Sequence, residues 1–172
     1  MAAEDPGFYM FGPYQVYKEE VFYTTDLCFV MVNLRPVLPG RWYLFVVSLM
    51  YLHVLVCPKR IVKRFTDLTP EEVSDIWLTA HKVADKLELH YKGTSLTFTI
   101  QDGPEAGQSV PHVHVHIVPR KKGDFENNDE IYDAIDENET KLKKKLDLDK
   151  NRRDRSLEER TQEADELRAL FI

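Results

Sequence analysis

His112, His114 and His116 stand in the run Pro111-His112-Val113-His114-Val115-His116-Ile117-Val118, three of the chain's six histidines within five residues. Along a strand alternate side chains share a face, so three imidazoles would line one side while Val113, Val115 and Ile117 covered a core on the other. Same-face neighbours would lie about 6.6 Å apart, twice the strand rise. Two chemistries can use such a row. A His-x-His pair can bind zinc with a third ligand from elsewhere, or a middle imidazole can attack an electrophile while its neighbours orient it and handle protons. The flanking residues favour the second. Gly103, Gly107, Gln108 and Ser109 offer flexible backbone and donors for phosphate oxygens. Arg120, Lys121 and Lys122, with Lys59 and Arg60, offer positive charge, and no Cys or carboxylate cluster at metal-ligand spacing accompanies the histidines.

The elements around this row follow from pattern. Phe8 to Val16 and Val21 to Asn33 read as early strands, punctuated by Arg35-Pro36 and Pro39-Gly40. Thr69-Pro70-Glu71-Glu72 is a capping box with proline at the first helical position. Val73, Ile76, Trp77, Ala80, Val83, Ala84 and Leu87 then recur at helical spacing, Gly93 supplies a stop, and His81 and His90 fall off the stripe as surface residues. Leu96 to Gln101 alternates as a strand, a Gly/Pro-rich loop follows, and Val110 to Val118 is the next strand, closed by Pro119. Beyond Gly123 the chain becomes charge-rich and helical, about Glu130 to Leu146 and again from the capping box Ser156-Leu157-Glu158-Glu159 toward Phe171. The thin stripe Ala164, Leu167, Leu170 predicts that this tail lies on the domain or a partner, and the Lys141 to Lys145 cluster reads as a solvated face.

Composition limits the classes open to the chain. Its 172 residues suit one domain with a tail, and 43% hydrophobic content provides a core. Lys plus Arg is 23 against 29 Asp plus Glu, a net charge of −6, which argues against nucleic-acid binding by bulk electrostatics. Cys28 and Cys57 sit in hydrophobic runs and read as buried thiols in a reducing compartment. No signal peptide is visible, and the apolar run Trp42 to Cys57 is short of the ~20 residues that span a bilayer. A soluble cytosolic protein is expected, with the nucleus also open to it.

The run His-Val-His-Val-His-Ile-Val resembles the histidine triad pattern. The wider stretch, Thr94 to Phe98 and Gln101-Asp102-Gly103-Pro104-Glu105-Ala106-Gly107-Gln108 through Pro119-Arg120, is similar to the fragile histidine triad branch, over about Phe11 to Tyr132. That resemblance implies an α+β, HIT-like fold: a mostly antiparallel sheet of about five strands, one long packed helix and a helical C-terminal extension. The catalytic domain would span 8–125 and the charged extension 126–172. It implies a dinucleoside triphosphate hydrolase in which His114 attacks the α-phosphorus of a nucleotide such as diadenosine triphosphate. AMP and ADP would leave by way of a nucleotidyl-histidine, and adenylylsulfate would be a second substrate. His116 would contact the scissile phosphate, His112 would hold the tautomer of His114, and His53 would support the triad from the adjacent strand. Asn33 and Gln101 would hold ribose or phosphate, and Gly107, Gln108, Ser109 and Val110 would form the phosphate loop. Family members act as dimers, on substrate carrying Mg²⁺ or Mn²⁺ rather than through a protein-caged metal.

The chain departs from the family between Gly40 and His53, where Arg41 to Leu52 intervene and ten of the twelve residues are hydrophobic. Such a segment cannot be an innocent solvent loop. It would extend the strand pair, pack on the domain, or disrupt the sheet near Asn33 and His53, to the protein's cost. An in-frame splice variant would account for its clean junctions. Two other functions use the same residues: a zinc hydrolase built on two of the three histidines, and a nucleotide-binding signalling module with slow turnover.

Overall fold

The computed structural model describes residues 7–34, 53–143 and 156–172, the side chains of 137–143 excepted. The Arg41–Leu52 segment and the Lys141–Lys145 side chains lie outside the described residues. The chain opens with a hairpin, β1 (Phe8–Phe11) and β2 (Tyr14–Tyr17), paired antiparallel around Gly12 and Pro13. One continuous strand was expected here. Gly12 takes φ +57, left-handed backbone that glycine adopts at little cost, and so the strand folds back on itself.

A five-stranded sheet carries the rest. Its members are β3 (Val21–Thr24), β4 (Cys28–Val32), β5 (Val54–Pro58), β6 (Ser95–Thr99) and β7 (Val115–Arg120), in the order β3-β4-β5-β7-β6 with every pairing antiparallel. Val32 lies opposite Val54, and the Asn33 N–H donates to the His53 carbonyl at 2.9 Å, so the β4–β5 ladder is closed on either side of the inserted segment. Of the three outcomes open to the insert, disruption of the sheet at Asn33 and His53 is not seen.

The strand expected over Val110 to Val118 starts five residues later. Pro111 has no N–H, the His112 N–H bonds the Val110 carbonyl in a tight turn, and the Val113 N–H is taken by the Val62 carbonyl, so no ladder can form until Val115. Pro119 continues the strand instead of closing it. β5 ends opposite Ile117, leaving Pro119 with a ladder partner on one side only, Leu96 of β6.

The sheet's two faces have different covers. Cys28, Val30, Val32, Val54, Val56, Val115 and Ile117 point to α1 (Pro70–His90) and pack on Ile76, Ala80, Val83, Ala84 and Leu87. The Thr69–Glu72 capping box forms as read, and Glu72 also receives Arg60 at 2.6 Å. Trp77 is not part of that buried stripe: it is 42% exposed, and the inward positions around it are Ile76, Thr79 and Ala80. The helix ends in a Schellman arrangement, with Gly93 N–H to the Glu88 carbonyl and Lys92 N–H to that of Leu89. Lys92, not Gly93, takes the positive φ of 52°.

On the other face Phe29, Met31, Leu55 and Cys57 meet Phe11, Val16 and Val110, while Val118 meets Ile131, Ala134 and Ile135 of α2 (Glu130–Lys143). The tail helix α3 (Leu157–Arg168) lies on the domain, with Ala164 and Leu167 fully buried in the main core. Arg160 pairs with buried Glu20, and Arg168 donates to the Val21 carbonyl at 2.9 Å. Both cysteines are free and buried, and desolvation pushes the Cys28 thiol up, with Asp75 adding to it, so the thiol stays protonated. Among the described residues no helix is long and apolar enough to cross a membrane.

Candidate active site

Strand parity gathers the site on the face away from α1. Leu55 is the ladder partner of His116 and Val32 that of Val54, so His53, Asn33 and His116 project to the same side. His114, two residues before His116, follows the same parity. Its ring stands edge-on to that of His116 with centroids 4.7 Å apart, closer than a flat strand would hold them, because His114 precedes the ladder, which starts at Val115.

The proton of His112 and that of His114 are placed by backbone groups that can play only one role. The backbone N–H of Gly12 donates to Nδ1 of His112 at 3.1 Å, and Nε2 of His112 donates to the Pro58 carbonyl at 2.8 Å. His112 is therefore the Nε2–H tautomer, and burial holds its pKa down at about 4, so it stays neutral at physiological pH. Nδ1 of His114 lies 2.8 Å from the carbonyl of His112; a carbonyl only accepts, so the proton is on Nδ1 and Nε2 carries the lone pair. The tautomer of His114 is thus held by the backbone of His112, while the His112 ring is turned to Gly12 and Pro58.

A second chain of bonds serves His116. The Asn33 amide nitrogen donates to Nδ1 of His53 at 2.9 Å, which leaves the His53 proton on Nε2, directed to Nδ1 of His116 at 2.6 Å. His116 then keeps its own proton on Nε2. Burial, and after it the neighbouring His114 and His53, press the pKa of His116 well below the ordinary value. One end of this row presents a lone pair and the other an N–H.

The loop before the triad is built around two glutamines. Gln108 accepts from the Gly103 N–H and donates to the carbonyls of Lys63 and His112, so its side chain staples the loop rather than reaching outward. Gly107 has φ +90, backbone that favours glycine, and a Cβ there would sit 2.7 Å from Nε2 of Gln101, so that any side chain would push the glutamine aside. The Val110 side chain is core, and Ser109 is half-buried at the loop's end. Three of the five expected positive charges are engaged elsewhere. Arg120 is buried on Asp124 through two hydrogen bonds of 2.6 and 3.1 Å, Arg60 is held by Glu72, and Lys59 bonds the Thr25 carbonyl. Sequence reasoning missed Phe11, whose ring stands edge-on to His114 at 5.0 Å, and Gly12; the Gly12-Pro13 turn was their one visible signal.

Zinc fits these donors poorly. Both ring nitrogens of His112 are already engaged, which removes it as a ligand. Among the described residues no three His, Cys, Asp or Glu groups converge as a metal would need.

Comparison with known proteins agrees with this geometry. The HIT domain profile matches residues 15–123. A bifunctional bis(5'-adenosyl)-triphosphatase/adenylylsulfatase of Arabidopsis thaliana is 60% identical over 163 residues, 95% of this chain and 84% of that one. A bis(5'-adenosyl)-triphosphatase of Dictyostelium discoideum is 50% identical, covering 94% and 91%. The crystal structure of the C. elegans NitFhit protein superposes with a TM-score of 0.70 at 37% identity, over 98% of this chain and 31% of that one. A Plasmodium falciparum diadenosine triphosphate hydrolase in complex with Cyclomarin A gives 0.60 at 32%, over 84% and 90%. Three imidazoles at the mouth of an antiparallel sheet, and sequence identity that runs through nearly the whole chain, carry one conclusion: the chain belongs to the histidine triad (HIT) domain family, in its fragile histidine triad branch.

Proposed function

We propose that the protein hydrolyses diadenosine triphosphate to AMP and ADP, and adenylylsulfate to AMP and sulfate, through a covalent intermediate on His114. The observation that carries this reading is the His114 tautomer: Nδ1–H is tied to the His112 carbonyl, so Nε2 presents the lone pair beside the His116 ring. The Nε2–P bond forms as the bond from phosphorus to the bridging oxygen breaks, and ADP or sulfate leaves with that oxygen. Water then attacks the same phosphorus and returns the electron pair to Nε2, releasing AMP. Splitting the displacement lets a neutral imidazole, a good nucleophile near pH 7, do what water does slowly. The Nε2–H of His116 serves as donor to the phosphate, its proton placed by Asn33 through His53. Gln101 and the backbone of Gly107 to Val110 hold the phosphate and ribose. The substrate brings its own Mg²⁺ or Mn²⁺ on its phosphates, which lowers their charge.

The relatives named above act on these adenylyl compounds, which supports the assignment. Active homodimers in the cytosol fit the family and the reduced, buried cysteines. His114→Asn is expected to abolish turnover, and mass spectrometry of wild-type protein quenched during turnover to show an AMP adduct on the His112–His116 peptide. Wild-type activity in that variant would overturn the assignment.

A further inference from the structure

The His114 ring, which must meet phosphorus, is 1% exposed, and those of His53, His112 and His116 are no more open. Something covering the catalytic face therefore has to move before a substrate can enter. Among the described residues, two elements lie on that face. The β1–β2 hairpin is tied into the site itself through Gly12 and Phe11. Helix α2 is seated farther along β7, where Ile131, Ala134 and Ile135 cover Val118, and the next residues on the same face are His116 and then His114.

Beyond that seat, among the described residues, α2 makes one polar tie to the site: Nε2 of Gln101 donates to a carboxylate oxygen of Asp136. The β6–β7 register pairs Thr99 with His116, and continued by two residues it sets Gln101 across from His114. Asp136 also stands 3.4 Å from where a Gly107 Cβ would be, so an anionic group rests against both the loop and the glutamine assigned to phosphate or ribose. Gln101 is 6% exposed and its Oε1 has no hydrogen-bond partner, a buried amide only half satisfied while Asp136 is in place.

We infer that α2 is an autoinhibitory latch: the Asp136 carboxylate occupies the anion position on Gln101 and Gly107, and an adenylyl phosphate must displace it to reach His114. The inference rests on the phosphate-site reading given above. Substrate affinity is then lowered by the cost of opening, and removing the latch returns it.

Asp136 is exposed, so Asp136→Ala leaves the core alone. In the full-length protein that variant is expected to lower KM about tenfold with kcat within about twofold, the weight of one charge-assisted hydrogen bond. Amide hydrogen exchange over 130–136 in the ligand-free protein should rise by about as much, since opening of that segment is what exchange reads. Saturating AMP should raise exchange of the same segment in the wild type. Ala134→Glu, which unseats the helix from Val118, should give the same pattern by a separate route. Unchanged exchange in both variants, a raised KM in Asp136→Ala, or protection of α2 by AMP would overturn the latch; a raised KM or protection would instead make Asp136 a substrate-gripping residue. Because ligand-free exchange needs no chemistry, it stands apart from the fate of His114→Asn. Full activity in that substitution sinks the phosphate-site reading, whereas unchanged exchange sinks only the latch.

Discussion

Histidines 112 and 116 are buried as neutral rings, which costs stability in acid. Above the ordinary histidine value of 6.5, folded and unfolded chains both carry these rings uncharged. As pH falls below it, the unfolded chain takes up protons that the folded chain refuses, until His112 titrates at about 4 in the native state. Stability is therefore full above about pH 6.5 and lost progressively between there and pH 4, with His116 acting in the same direction. Each fully developed group contributes a slope of about 1.4 kcal/mol per pH unit. Denaturant midpoints measured from pH 7 to 4.5 should fall steadily, and a flat profile would contradict the buried neutral pair. At this scale much of the site was legible. The shared face of His114 and His116 is kept although their rings are closer than strand spacing predicts, and Asn33 meets His53 as strand parity demands. What was not legible is which atom does the holding: the His112 carbonyl and the Gly12 N–H are backbone groups, and no side-chain pattern announces them.

At the scale of elements, local signals were read well where they act locally. The α1 cap, with Pro70 behind Thr69, and the Ser156–Glu159 box of α3 form because each satisfies backbone donors within one turn. Failures came where a distant partner decides. Trp77 shares the apolar spacing of α1 but not its burial, and the His112 turn exists because Val62 takes the N–H of Val113. The tail helix is a case in between. Its stripe was thin, yet Ala164 and Leu167 are fully buried and complete the core over β3. Leu167→Ala should destabilise the protein by about 2–5 kcal/mol, as for other fully buried leucines, and a chemical-denaturation shift below about 1 kcal/mol would show that α3 is merely laid on the surface.

For the whole molecule, the connection from Val32 to Val54 carries the segment that the sequence sets apart as an insertion. The strands on either side pair in register regardless, so the twelve residues from Arg41 to Leu52 lengthen a connection without altering what it connects. Lengthening it from about nine to about twenty residues costs only about 0.8 kcal/mol of closure entropy. The liability of the segment is its ten hydrophobic residues. Deleting Arg41 to Leu52 should raise solubility several-fold and leave kcat within about twofold. A large gain in kcat would mean that the segment reaches the Asn33–His53 pair after all.

The docking of α3 also has a temporal side. β3 is an edge of the sheet, and its Phe22 and Tyr23 are stacked on by Phe171, while Arg160 and Arg168 clasp Glu20 and the Val21 carbonyl from roughly 140 residues away. During translation that strand leaves the ribosome early and waits for its cover until residues 156–172 have emerged. In the interval it is an apolar, unpaired margin of the kind that recruits other chains. A nascent chain stalled before Ser156 would thus expose a sticky rim that chaperones have to shield.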